Sequence, residues 1–292
     1  MERFETKRGT EKHRDTEGTE KPIHECLLGV SLCPLCLCVS PSAIFRVFAL
    51  VLLVMVPVFG QGGRGGQRGQ APPQTPKAAA PIDLTGYWVS IVTEDWRWRM
   101  VTPAKGDFAS IPTNPAGVAE GQKWDPAKDE AAGEQCKSYG AAAIMRVPTR
   151  LHITWDNDTT LKIETDAGQQ TRLFHFGEYQ PPSGPATFQG NSIASWETAG
   201  ARRGGPPAGG NLKVVTTGLR AGYLRKNGYP YSDKTTVTEF YDRTNEPNGD
   251  TWLIITTIVN DPVYLNQEFI TSTHFRKLMD ATGWNPQPCT AH

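Results

Sequence analysis

The chain has 292 residues, and its 30 Lys and Arg balance its 30 Asp and Glu, so the formal net charge is zero. This balance excludes the large positive excess typical of a general nucleic-acid binder or of a protein held on anionic membranes. We therefore expect no nucleic-acid partner. The 29 Gly and 23 Pro predict many turns.

The N-terminal region does not resemble a folded domain. Residues 1–25 are polar and repetitive, residues 26–45 carry no charge, and Arg46 precedes an apolar run that ends at Gly60. That run is shorter than the roughly 20 residues of a transmembrane helix and is typical of a secretory signal peptide. We interpret 43–60 as the signal peptide and 1–42 as a disordered or non-native leader. The alternative is that 26–45 and 47–60 together form a membrane hairpin or one long anchor. We expect no membrane contact other than through this segment, if it is not cleaved.

Residues 61–81 are rich in Gly and Gln and then in Pro and Ala, a composition that predicts a flexible linker. The remaining residues, 82–292, are enough for one domain with a sizeable core. This domain has two cysteines, Cys136 and Cys289. In an exported protein, periplasmic or secreted, the pair predicts one disulfide that contributes a few kcal/mol. Two unpaired thiols are the alternative.

Alternating apolar and polar residues dominate this domain and predict β-strands. Strands at about 151–155, 161–164 and 171–176 are separated by short turns and form an antiparallel meander. The other predicted strands cover 86–93, 96–101, 189–197, 211–218, 235–242, 251–260 and 267–276. Eight to ten antiparallel strands predict a barrel or a sandwich.

Helix is sparse and is expected in an insertion at about 102–146. Asn114 before Pro115 and Asp125 before Pro126 are typical helix starts, with an N-cap followed by proline in the first turn. An insertion of this length covers one end of a barrel or packs on its outer wall.

The first predicted strand contains Gly86-Tyr87-Trp88. This resembles the Gly-x-Trp signature that opens lipocalin-like barrels. The resemblance implies that Trp88 closes the base of the barrel and that Gly86 permits a close backbone approach.

The domain also resembles a group of exported bacterial proteins of unknown function. The matching stretches are TFQGNSIASWE (187–197), LKVVTTGLRAGYLRKNGYPYSD (212–233), TVTEFYDR (236–243) and ITTIVNDPVYLNQEF (255–269). The resemblance covers most of residues 82–289. It implies a mainly β, exported, lipocalin-like barrel and supplies no catalytic residues.

Two segments combine aromatic and cationic side chains and are candidate ligand-binding regions. In the first, an extended backbone would place Trp96 and Trp98 on one face and Arg97 and Arg99 on the other. Arginine binds carboxylate or phosphate through its fork of donors, and tryptophan stacks on rings or sugars. The alternative is tryptophan in the core and arginine in solvent.

The second segment is the loop with Arg225, Tyr229 and Tyr231, since loops at a barrel mouth commonly carry recognition. Its Asn-Gly pair is equally a simple turn signal. His152 and His175, on neighbouring predicted strands, complete the candidate ligand set. With His274 they could converge on a metal, but their strand faces differ, and we predict neither a metal nor a cofactor.

The sequence contains no Gly-x-Ser-x-Gly, His-Glu-x-x-His, phosphate-loop or dinucleotide motif. We therefore expect a binding protein rather than an enzyme, with a small, partly apolar or anionic ligand. Two alternatives stay open: a filled barrel whose outer surface binds another protein of the cell envelope, and a hydrolase or isomerase that uses the same cavity.

Overall fold

The structure, a computed structural model, describes residues 73–200 and 209–292. The expected leader (1–42), the expected signal peptide (43–60) and residues 61–72 of the expected linker lie outside the described residues. Of the linker, residues 73–81 are described. Trp196 Nε1 donates a hydrogen bond to the Pro76 carbonyl at 2.8 Å, so this part of the linker contacts the barrel.

In the described part of the chain, nine strands close a barrel. They are β1 (Gly86–Ile91), β2 (Arg150–Asn157), β3 (Thr160–Thr165), β4 (Thr171–Phe176), β5 (Asn191–Thr198), β6 (Gly210–Thr217), β9 (Thr236–Asn245), β10 (Thr251–Asn260) and β11 (Phe269–Lys277). Two short strands, β7 (Gly222–Tyr223) and β8 (Pro230–Tyr231), form a separate hairpin.

The strand order around the barrel is β1-β11-β10-β9-β6-β5-β4-β3-β2. The pairs are antiparallel except β4–β5, which is parallel and places Phe174 opposite Ser192. The predicted mainly β fold, its barrel form and the meander formed by β2, β3 and β4 are confirmed.

The helices are α1 (Trp96–Arg99), α2 (Pro115–Gly121) and α3 (Pro126–Ala131), and short 3-10 helices cover Lys137–Tyr139 and Ile144–Arg146. Both predicted N-caps are present: Asn114 Oδ1 accepts from the Gly117 N–H and Asp125 Oδ1 from the Lys128 N–H. The prediction of a strand at 96–101 is wrong, because Trp96–Arg99 forms a single helical turn.

Side chains fill the barrel interior. One apolar cluster lies around Trp88, Phe174 and Phe275, and a second lies around Phe108, Tyr229 and Phe269, to which the insertion and the β7–β8 hairpin contribute. The second cluster plugs the barrel end under the insertion.

A polar belt separates the two clusters. Strand β9 shows the order most clearly, with Val237 in the second cluster, Glu239 in the belt and Tyr241 in the first cluster. Arg172 pairs with Glu239 through two hydrogen bonds of 2.8 and 2.6 Å, and both side chains have 0% exposure. Thr216 Oγ1 accepts a further bond from Arg172 at 3.3 Å.

Trp88 is fully buried at the start of the barrel, and its Nε1 donates to the Leu84 carbonyl at 2.9 Å. Gly86 has a φ of 109°, a conformation that side chains with a Cβ rarely adopt. Lys277 covers both residues: its Nζ lies 5.5 Å from the Trp88 ring, and its Cε would lie 3.3 Å from a Cβ at position 86.

The predicted disulfide between Cys136 and Cys289 is confirmed. It ties the C-terminal segment to the insertion, and Gln287 N–H donates to the Asp166 carbonyl at 2.8 Å in the same segment. None of the helices in 73–200 and 209–292 has the length and apolar character needed to cross a membrane.

Candidate functional site

A pocket of about 380 Å³ lies where the insertion meets the β7–β8 hairpin and the C-terminal segment. We call it the insertion pocket. Its wall combines cationic and aromatic side chains. The ones that carry its chemistry are Trp98, Arg99, Tyr139, Arg146, Arg225 and Lys226.

Helix α1 positions the first two of these side chains. Asp95, just before the helix, has a φ of 51°, a left-handed conformation that is uncommon outside glycine. Residues two apart on a helix are separated by about 200° around its axis. Arg99 is therefore buried while Arg97 is exposed, and Trp98 reaches the pocket while Trp96 is 66% exposed.

Each nitrogen of the Arg99 guanidinium has a polar partner. Its Nε donates to the Arg146 carbonyl at 2.8 Å, its Nη2 donates to Ser90 Oγ at 3.3 Å, and its Nη1 pairs with Glu94. Burial lowers the pKa of Arg99, and Glu94 partly offsets this by stabilising the cation. Arg99 therefore fixes α1 against the barrel.

Arg146 supplies the second guanidinium. Its Nη2 donates to Asp95 Oδ2 at 2.9 Å, and its guanidinium carbon lies 5.3 Å from the Phe269 ring. Arg146 is 8% exposed, and its Nη1 is buried without a hydrogen-bond partner among the described residues.

Arg225 supplies the third guanidinium and is 5% exposed. Its Nη1 donates to the carbonyls of Asp107 and Ala109 at 3.3 and 3.0 Å, and its Nη2 donates to Ser110 Oγ at 3.3 Å. Its Nε has no partner within the described ranges. Burial, together with the neighbouring Arg146, lowers the pKa of Arg225 to about 10, so it remains a cation at neutral pH.

Trp98 and Lys226 complete the cationic wall. The guanidinium carbons of Arg97 and Arg225 each lie 5.4 Å from the centre of the Trp98 ring. Lys226 Nζ lies 5.0 Å from the Tyr139 ring and 3.4 Å from Thr290 Oγ1. Such stacking holds cations without neutralising them.

Two of the cations that line the pocket have no direct ion pair in the part of the chain that the structure describes. Glu94 pairs with Arg99, and Asp95 pairs with Arg146. Within residues 73–200 and 209–292, neither Arg225 nor Lys226 has a carboxylate oxygen within ion-pair distance. Asp95 and Asp107 stabilise the Arg225 cation from beyond ion-pair distance, and an anion bound beside Arg225 would supply the direct partner that it lacks. The arrangement is therefore suited to hold a carboxylate or phosphate group.

The structure brings together only part of the predicted ligand set. Trp98, Arg99 and Arg225 share the insertion pocket, and Trp96 and Arg97 lie on the exposed side of α1. Tyr229 and Tyr231 lie in the second core cluster with 0% exposure rather than in a surface loop. The reason is packing, since aromatic rings fill the plugged barrel end.

His152, His175 and His274 do not line the pocket. His152 stacks on Tyr87 with ring centres 4.2 Å apart, and His175 stacks on Tyr179 at 3.7 Å. His274 Nδ1 lies 3.3 Å from Glu94 Oε2. Among the described residues, no three His, Cys, Asp or Glu side chains group as a metal site.

Sequence reasoning missed Arg146 and Tyr139. Arg146 follows the apolar run Ala143–Met145 and is 47 positions from Arg99, so no local pattern links the two. Tyr139 lies three positions after Cys136. The prediction that Cys136 forms a disulfide was the only signal that this part of the insertion is held in place.

The comparisons with known proteins add no relative. The chain matches no protein-family model, no curated protein and no solved structure. The functional conclusion therefore depends on the geometry and on the residues themselves.

Proposed function

We propose that this protein is an exported, lipocalin-like barrel protein that binds a small, partly apolar anion in the insertion pocket. The observation that carries the proposal is Arg225, which is 5% exposed, lines the same pocket as Arg146 and has no carboxylate within ion-pair distance in the described part of the chain. Arg146 and Arg225 both line the pocket, and each keeps one buried guanidinium nitrogen without a hydrogen-bond partner among the described residues, Arg146 Nη1 and Arg225 Nε.

The lipocalin-like assignment and export are supported by different features. The closed barrel begins at Gly86 and the buried Trp88, as the sequence resemblance implies. The Cys136–Cys289 disulfide is compatible with an oxidising compartment, and the apolar run before Gly60 is typical of a signal peptide.

The ligand site differs in position from the inside of the barrel. Phe174, Tyr241 and Phe275 have 0% exposure and occupy the interior. This filled interior favours the alternative of a protein-interaction module, whereas the cationic pocket favours a small ligand. Because Arg225 has no carboxylate within ion-pair distance in the described part of the chain and lines this pocket, we favour the small ligand.

The test uses the anionic fluorescent probe 8-anilinonaphthalene-1-sulfonate, which joins a sulfonate to aromatic rings. Titration of the wild-type protein should show saturable binding. Arg225→Gln should weaken it by about 10-fold to 100-fold, because a hydrogen bond to a charged group contributes about 1.5–3 kcal/mol.

Two further variants make the test specific. Arg276→Gln changes an exposed arginine on the outer face of β11 and should leave binding unchanged. Arg225→Lys keeps the charge and should retain part of the affinity. Equal binding by wild type and Arg225→Gln, with equal melting temperatures, would refute the proposed site.

A further inference from the structure

An exposed apolar rim adjoins the insertion pocket. Trp96, Met100 and Val101 are 66%, 58% and 65% exposed. Large apolar side chains gathered on one exposed stretch mark binding surfaces. Met100 and Val101 also line the pocket itself, so the rim and the cationic wall are continuous.

The rim is held in place by the same contacts that build the pocket. Arg99 anchors α1 through Glu94, Ser90 and the Arg146 carbonyl. The N–H of Met100 donates to the Trp96 carbonyl at 2.9 Å and closes the helical turn. The apolar side chains therefore lie next to buried cations, and the unbranched side chain of Met100 is flexible enough to pack against different shapes.

This inference rests on the proposed function and specifies its ligand class. We propose that the ligand is an anionic amphiphile, whose charged group lies against Arg146 and Arg225 and whose hydrocarbon chain crosses Met100 and Val101. Two independent features favour the two halves of such a ligand: the cations of the pocket wall that lack a direct ion pair among the described residues and the exposed apolar rim.

The proposal predicts an affinity that rises with chain length. Burying one CH₂ group completely strengthens binding about fourfold, and covering half of its surface strengthens it about twofold. The rim is open on one side, so we expect the smaller factor. Calorimetric titration with butanoate, hexanoate and octanoate, below their micelle-forming concentrations, should therefore show about a 16-fold gain from butanoate to octanoate.

Matched variants separate the two halves of the ligand. The double variant Met100→Ser, Val101→Ser should lose most of the gain with length, so that its ratio of octanoate to butanoate affinity falls toward one. Ile270→Ser, which changes a side chain that is 59% exposed outside this pocket, should keep the gain. Arg225→Gln should weaken binding of all three acids by a similar factor.

Different failures have different meanings. If wild-type protein binds butanoate and octanoate equally, with both sensitive to Arg225→Gln, the amphiphile is refuted and the anion site stands. If no acid binds and octyl phosphate also fails, the anion site itself is refuted. Binding of octyl phosphate without octanoate supports an amphiphile with a phosphate head, and 1-octanol that binds as tightly as octanoate would overturn the role of the charge.

Discussion

The buried pair Arg172–Glu239 offers a sharp test of the barrel interior. Both side chains have 0% exposure, and the two hydrogen bonds between them measure 2.8 and 2.6 Å. Burial alone lowers the pKa of Arg172, but Glu239 and Tyr241 outweigh that effect and raise it above its usual value. Arg172 is therefore charged in the folded protein. The free energy of unfolding then depends on Glu239, which compensates that charge.

The perturbation is Glu239→Gln, which keeps the shape of the side chain and removes its charge. Removing one partner of a buried pair costs about 3–5 kcal/mol, because an uncompensated charge is left in the interior. We expect a loss of this size in the free energy of unfolding, measured by urea titration at neutral pH with the disulfide oxidised. The urea dependence of that free energy should be unchanged.

Two control variants show whether the loss in the free energy of unfolding comes from the unpaired buried charge. Replacing both partners, Arg172→Met with Glu239→Leu, should recover most of the loss, since apolar side chains of similar volume replace a buried pair at little cost. Asp233→Asn breaks an exposed pair with Lys234 and should cost less than about 1 kcal/mol. A loss below about 1 kcal/mol for Glu239→Gln would refute the assignment of this pair to a sealed interior.

Three further predictions concern the fold. Replacing Cys136 and Cys289 by serine should cost about 3–5 kcal/mol in urea titrations, because the bond closes a loop with a sequence separation of 153; an unchanged midpoint would contradict this. Trp88→Ala should cost about 3–5 kcal/mol in the same assay, since the ring is fully buried, and a loss below about 1 kcal/mol would show that the barrel start is not a packed core. Burial lowers the pKa of His175 in the folded protein. As the pH falls below about 6.5, His175 therefore takes up a proton in the unfolded chain before it does so in the folded protein, and folding stability is lost. The urea midpoint of His175→Phe should therefore fall less than that of the wild type between pH 7.5 and pH 5, and equal losses would refute the effect.

The strands were predictable because their signal is local. Leu151 and Ile153 point inward from β2 and alternate with His152, and the same period marks β9 and β10. Closure of the barrel follows from the pairing of β1 with both β2 and β11, which no single strand reveals. The parallel β4–β5 pair was also out of reach, since its register depends on the long connection over 177–190.

The candidate site was only partly predictable for a related reason. In Trp96–Arg99 aromatic and cationic residues alternate, which fits a strand by period, but four residues are too few to separate a strand from one helical turn. Trp98, Arg99 and Arg225 carry chemistry in their residue type and could be proposed. Arg146 joins them only through the tertiary fold, and nothing near it in the sequence marks that contact.

The central claim is that buried guanidiniums in the insertion pocket hold an anionic ligand. Native mass spectrometry of the protein purified from its own host, as wild type and as Arg225→Gln, tests this claim most directly. We predict that the wild type releases a small anionic molecule on activation and that the variant carries none. Bare wild-type protein under gentle conditions, or the same molecule retained by Arg225→Gln, would contradict the account.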